Sequence, residues 1–128
     1  MFEQDYIMRL IHEIARALAK ILFNIDTETV TEELESRIEE TDILKELLDM
    51  VDSGQINQAE NKLYDLLDEA VPNCIEMAIL FYSHLNEKTD DFLKENDYSR
   101  DEIKAGMEAI AERVGLSGVV EIGYGYSD

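Results

Sequence analysis

The chain has 128 residues, with 30 acidic side chains against 11 basic ones, a formal charge of −19, one Cys, one Pro, six Gly and no Trp. That length gives one domain as the expectation, and a hydrophobic content of 45% is enough to build a core. The single Cys excludes a disulfide framework and a Cys-rich zinc site, and the acid excess argues against direct binding of nucleic acid phosphates, whose affinity comes from Lys and Arg displacing counterions.

Residues 4–24 read as a long helix, because Ile7, Leu10, Ile11, Ile14, Leu18, Ile21 and Leu22 recur at spacings of three and four. Met8, Ala15, Ala17, Ala19 and Phe23 widen the apolar surface beyond one amphipathic face. Such a helix needs cover from two sides, either as the centre of the fold or in an oligomer interface, so Ile7, Leu10, Ile11, Ile14, Leu18 and Ile21 form a candidate interface. Asn24 to Thr29 reads as a loop, after which Thr29 or Thr31 caps a short acidic helix through Leu34 and Ile38. A second amphipathic helix carries Ile43, Leu44, Leu47, Leu48, Met50 and Val51 and breaks at Ser53 and Gly54. The next begins near Gln55, places Ile56, Ala59, Leu63, Leu66, Leu67 and Ala70 on one face, and is stopped by Pro72, which fits the first turn of its successor. That successor runs through Cys74, Ile75, Ala78, Ile79, Phe81, Tyr82 and Leu85, and a shorter helix capped by Thr89 holds Phe92 and Leu93. Ser99 and Glu102 have the spacing of a capping box, opening a helix with Ile103, Met107, Ile110, Ala111 and Val114. Gly115 supplies its left-handed cap and Leu116 the accompanying apolar contact. The tail from 117 to 128 changes character, with β-branched residues followed by Gly-Tyr-Gly-Tyr.

The expected fold is therefore all-α: a single-domain antiparallel array of about six or seven helices with repeat-like hairpins and a short C-terminal tail. It divides into an apolar N-terminal helix (1–25), an acidic helical body (26–116) and the tail (117–128). Charge follows the same division. Residues 1–25 are neutral, residues 26–69 carry −12 and residues 70–128 carry −7. The first helix is thus suited to burial or self-association, and the body to solubility or a basic partner. No secretory signal and no run long enough to span a bilayer is visible, so the cytoplasm is the expected compartment, in keeping with the lone Cys.

Chemical motifs are sparse. Residues 49–60 imitate a twelve-residue calcium loop, with Asp49, Ser53, Gly54 and Glu60 at positions 1, 5, 6 and 12, but Val51 stands where an oxygen ligand is required. A plain helix–turn–helix corner is the better reading, and a weak divalent-cation site there ranks third among the functional readings. Gly54, Ala59, Leu63 and Pro72 resemble the second helix of a tetratricopeptide repeat, although no second copy follows at that period. His12 and His84 are preceded at three residues by Arg9 and Phe81, so the Glu-x-x-His pair of a bundle di-metal site is missing. Cys74 sits on an apolar helix face with no adjacent cation to activate it. No catalytic residue, metal or cofactor is expected, and the sequence is more consistent with binding than with catalysis.

The opening Met1-Phe-Glu-Gln-Asp-Tyr-Ile-Met-Arg-Leu-Ile resembles the start of a family of small Firmicutes proteins known as a domain of unknown function. Leu47-Leu-Asp-Met-Val-Asp-Ser-Gly, Ile56-Asn-Gln-Ala-Glu-Asn, Phe81-Tyr-Ser-His-Leu-Asn-Glu-Lys, Ser99-Arg-Asp-Glu-Ile and Val114-Gly-Leu-Ser-Gly extend the likeness over nearly the whole chain. The resemblance implies a helical, cytoplasmic bacterial protein and supplies no reaction. The leading expectation is a non-enzymatic helical protein–protein interaction module, with a homodimer through the first helix or the tail as one form of it. The alternative is an acidic regulator or nucleic-acid mimic that docks a basic partner through one contiguous carboxylate stripe on residues 26–69.

Overall fold

The computed structural model describes residues 2–116, and the tail lies outside them. Seven helices follow one another: α1 (Phe2–Phe23), α2 (Val30–Arg37), α3 (Thr41–Asp52), α4 (Ile56–Asp68), α5 (Cys74–Asn86), α6 (Asp90–Glu95) and α7 (Arg100–Arg113). No strand occurs among the described residues, so the all-α expectation holds.

The helix at the centre is α5, not α1. Every residue from Glu76 to Tyr82, and Leu85 after them, is buried. A helix apolar all round must be enclosed on every side, and α1, α2, α3, α4 and α7 all pack on it. In α1, by contrast, only one face is sealed: Ile11, Ile14, Ala15, Leu18 and Ala19 are buried, mainly against α7 and α5. The side chains of α3 (Leu44, Leu47, Val51) and α4 (Ile56, Ala59, Leu63, Leu67) close the core from the other side as an antiparallel hairpin.

Helix ends explain where the chain turns. Ser99 accepts from the backbone N–H of Glu102, whose side chain accepts from the Ser99 N–H at 2.8 Å, completing the capping box. Thr89 caps α6 through the N–H of Phe92 at 3.1 Å. At the C-terminal ends, five helices close through a left-handed residue at Asn24, Gly54, Ala70, Asp97 and Gly115. After four of them the next N–H reaches back five residues in the Schellman pattern, as Leu116 does to the Ala111 carbonyl at 2.7 Å and Gln55 to Met50 at 2.8 Å, and after Asn24 the Ile25 N–H reaches back six to Ala19 at 3.2 Å. This corrects the boundary expected at Pro72: α4 has already ended at Asp68, with Ala70 left-handed and the Val71 N–H bonded to the Leu66 carbonyl. Nor does Pro72 open α5, which starts at Cys74 after a left-handed Asn73. Thr29 does precede α2, but its hydroxyl is bonded to that of Thr27 and makes no side-chain cap.

Two glycines are set by close approach. A Cβ on Gly106 of α7 would run into the ring of Tyr82, so this position lets α7 settle onto α5. Gly54 combines a φ of 89° with the side chain of Asn96 pressed against the place where its Cβ would stand.

Candidate interaction surfaces

The six residues singled out on α1 divide between the core and the surface. Ile11, Ile14 and Leu18 are buried within the chain, Ile7 and Leu10 are half-buried, and Ile21 is 55% exposed. Tyr6, missed by the sequence reading, is 43% exposed. At 100° per residue, Tyr6, Leu10, Ala17 and Ile21 fall within about 60° of arc, a stripe about 22 Å long beside the buried face. Basic and acidic groups mingle along its edge. Glu13, Arg16, Lys20 and Asp26 ring a depression of about 260 Å³, and Lys20 pairs with Asp26 at 3.6 Å. Arg37 fastens the C-terminal end of α1 to α2, donating to the Phe23 carbonyl at 2.9 Å while its guanidinium lies 5.2 Å from the Phe23 ring centre.

A second surface is a groove bounded by α2, α3 and α5. Its two adjoining hollows, of about 390 and 170 Å³, share Glu35, Leu44, Leu48 and His84. Leu44, Leu48 and Leu80 make an apolar floor, and Glu35, Asp42, Asp49, Asp52 and Glu87 line the walls with Lys45. Asp49 accepts from Lys45 at 2.9 Å, and Asp52 accepts from both His84 Nε2 at 2.7 Å and Lys88 Nζ at 2.6 Å. Burial alone would raise the Asp52 carboxyl, but the hydrogen bonds from Lys88 and His84 outweigh it and hold the group below the usual carboxylate range. An Asp–His pair is two thirds of a hydrolytic triad. Among the described residues, however, no hydroxyl or thiol is hydrogen-bonded to the other ring nitrogen of His84.

The residues of the calcium-like turn go separate ways. Glu60 accepts from the Tyr82 hydroxyl at 2.5 Å and from the Tyr98 hydroxyl at 3.0 Å, whereas Asp49 belongs to the groove. Ser53 returns its hydroxyl to the carbonyls of Asp49 and Met50. Among the described residues no three His, Cys, Asp or Glu side chains gather around one point. Burial pushes both tyrosine hydroxyls far above their ordinary value, and the adjacent Glu60 carboxylate adds to the shift. The cluster ties α4, α5 and the loop before α7 together, satisfying polar groups that the core would otherwise strand. Cys74 is half-buried, and burial raises its thiol, as expected for an unactivated cysteine.

Eight of the fifteen carboxylates of residues 26–69 are divided among the groove and several different partners. Four line the groove, Asp68 pairs with Arg113 on α7, Glu46 with Lys62 on α4, Asp26 with Lys20 on α1, and Glu60 turns toward the two tyrosines.

Residues 1–115 match a family of unknown function, DUF6483. The chain belongs to this family. No curated protein and no solved structure matches it. Membership extends from α1 through the Gly115 cap and so takes in both surfaces, and it bears out the resemblance drawn from the sequence motifs. No helix among the described residues is long and apolar enough to cross a membrane.

Proposed function

We propose that the chain is a non-enzymatic helical protein–protein interaction module that self-associates through α1. The observation that carries this reading is the apolar stripe on the one helix whose charges cancel, with Tyr6 and Ile21 exposed at its ends and Leu10 and Ala17 half-buried between them. Two copies carrying −19 each repel one another over most of their surfaces, and repulsion is weakest where Arg9, Arg16 and Lys20 balance Glu3, Asp5 and Glu13. In a two-fold antiparallel pairing, Tyr6 of one copy meets Ile21 of the other and Leu10 meets Ala17, so a self-complementary stripe closes on itself. Light scattering across the micromolar range tests this: a mass rising from 14.7 kDa toward twice that value supports it, and a constant 14.7 kDa refutes it.

The acid excess and the groove favour a second reading, in which the body also docks a basic protein. The helical hairpin of α3 and α4, whose second helix resembles that of a tetratricopeptide repeat at Gly54, Ala59 and Leu63, supports a binding role of that kind. A cytoplasmic location belongs to the same proposal, supported by a lone, unactivated Cys74 that suits a reducing compartment.

A further inference from the structure

The geometry points to the groove between α2, α3 and α5 as the docking site for a basic amphipathic helix contributed by another protein. This deepens the basic-partner reading and rests on it.

The groove pairs two features that a solvated acidic face lacks. Its floor is apolar: Leu44 and Leu48 stand one turn apart on α3, and Leu80 of α5 lies beside them. Its walls carry carboxylates in a helical rhythm. Asp42, Asp49 and Asp52 follow α3 for three turns, about 15 Å, with Glu35 of α2 and Glu87, just past the end of α5, completing the rim. Asp49 and Asp52 are already paired with Lys45, Lys88 and His84, while Glu35, Asp42 and Glu87 have no ion pair among the described residues.

These features define the occupant. Leucine-sized anchors at spacings of three and four would cover the floor, and Lys or Arg on the flanking positions would meet the rim. A helix presents both patterns on one side, whereas an extended chain alternates its side chains between faces and would turn half of them away from the groove. A small cation fits poorly, since the carboxylates are strung along the groove and do not converge. A second copy is disfavoured too, because seating it here would press one acidic body against another.

The test uses the full chain and two labelled eighteen-residue Leu/Lys peptides of identical composition, one ordered as an amphipathic helix and one scrambled to abolish its apolar face. Binding is read by fluorescence anisotropy at about 0.15 M salt, where charges beyond about 8 Å are screened. The amphipathic peptide should bind at least tenfold more tightly than the scrambled one. The double variant Glu35→Lys/Asp42→Lys should weaken it at least tenfold, and Leu48→Asn should weaken the amphipathic peptide alone. Asp65→Lys/Asp91→Lys, two exposed carboxylates outside the groove lining, should change it less than twofold. Far-ultraviolet circular dichroism identifies any variant that fails to fold, and the comparison between the two peptides on the native chain needs no variant at all. Equal binding of both peptides, weakened equally by the two double variants, would leave the basic-partner reading standing and overturn the groove. No binding of either peptide would overturn both.

Discussion

Replacing Gly106 with Ala sets two opposing effects against each other. In the interior of α7, Ala is the better helix former by about 1 kcal/mol, so on local grounds the variant should be more stable. The structure predicts the reverse. The new methyl group would overlap Cε1 and Cζ of Tyr82 and stand 2.7 Å from its hydroxyl. Tyr82 is fully buried, its ring packs edge-on against Phe81 at 5.1 Å, and its hydroxyl is held by Glu60, so it has little room to retreat. Overpacking of this kind costs about 1–3 kcal/mol, and pulling the hydroxyl off a carboxylate costs about 1.5–3 kcal/mol more. The net expectation is a loss of about 3 kcal/mol, or a melting temperature lower by about 10 °C for a domain of this size. Urea unfolding followed at 222 nm measures it. Tyr82→Leu supplies the control: once the ring is gone, Gly106→Ala should stabilise the chain by about 1 kcal/mol, giving a coupling of about 4 kcal/mol between the sites. A Gly106→Ala variant as stable as the native chain, or additive with Tyr82→Leu, would refute the claim that this glycine seats α7 on α5.

Other outcomes follow from the caps and the buried polar groups. Ala70→Gly should stabilise the chain by about 1 kcal/mol, because a left-handed L-residue is strained by about that amount and glycine is not; thermal melts would show it. Tyr82 and Tyr98 hold their protons more tightly folded than unfolded, so stability should fall as pH rises above about 10, the ordinary tyrosine value. Absorbance at 295 nm should show these two hydroxyls ionising only as the chain unfolds, with Tyr82→Phe and Tyr98→Phe each removing part of that late step. Asp52 is shifted the other way: its contribution is present above about pH 3.9 and is lost as pH falls through its depressed folded value. Asp52→Asn should therefore flatten the acid limb of the stability profile while lowering stability at pH 7.

Local signals in the sequence were read correctly where a single residue type does the work. The Ser99–Glu102 box, the Thr89 cap and the Gly54 and Gly115 turns all rest on side chains or conformations that few other residues can supply. The end of α1 was placed correctly at Asn24, whereas the left-handed caps at Ala70 and Asp97 escaped because neither residue type marks a helix end as glycine does. The expected stop at Pro72 shows the same limit, since the proline sits after an end already made by Ala70. The wide apolar surface of α1 pointed to that helix as the centre of the fold or an interface, and the enclosure of α5 was not anticipated. The α1 stripe was partly legible: Leu10 and Ile21 were named, while Ile11, Ile14 and Leu18 serve the chain's own core. Neither the groove nor the Tyr82–Glu60–Tyr98 cluster could be read in advance. Their members lie up to 56 and 38 residues apart, on helices whose neighbours are chosen by packing.

Self-association through α1 is tested most directly by placing a charge where the stripe is widest open. Sedimentation velocity at about 100 µM would compare the native chain with Ile21→Glu, a change at a side chain 55% exposed, where substitution costs little folding stability. The account predicts a native species of about twice 14.7 kDa and a variant that sediments as the 14.7 kDa monomer with an unchanged helical spectrum. A native chain that stays monomeric, or a variant that dimerises as the native chain does, would contradict it.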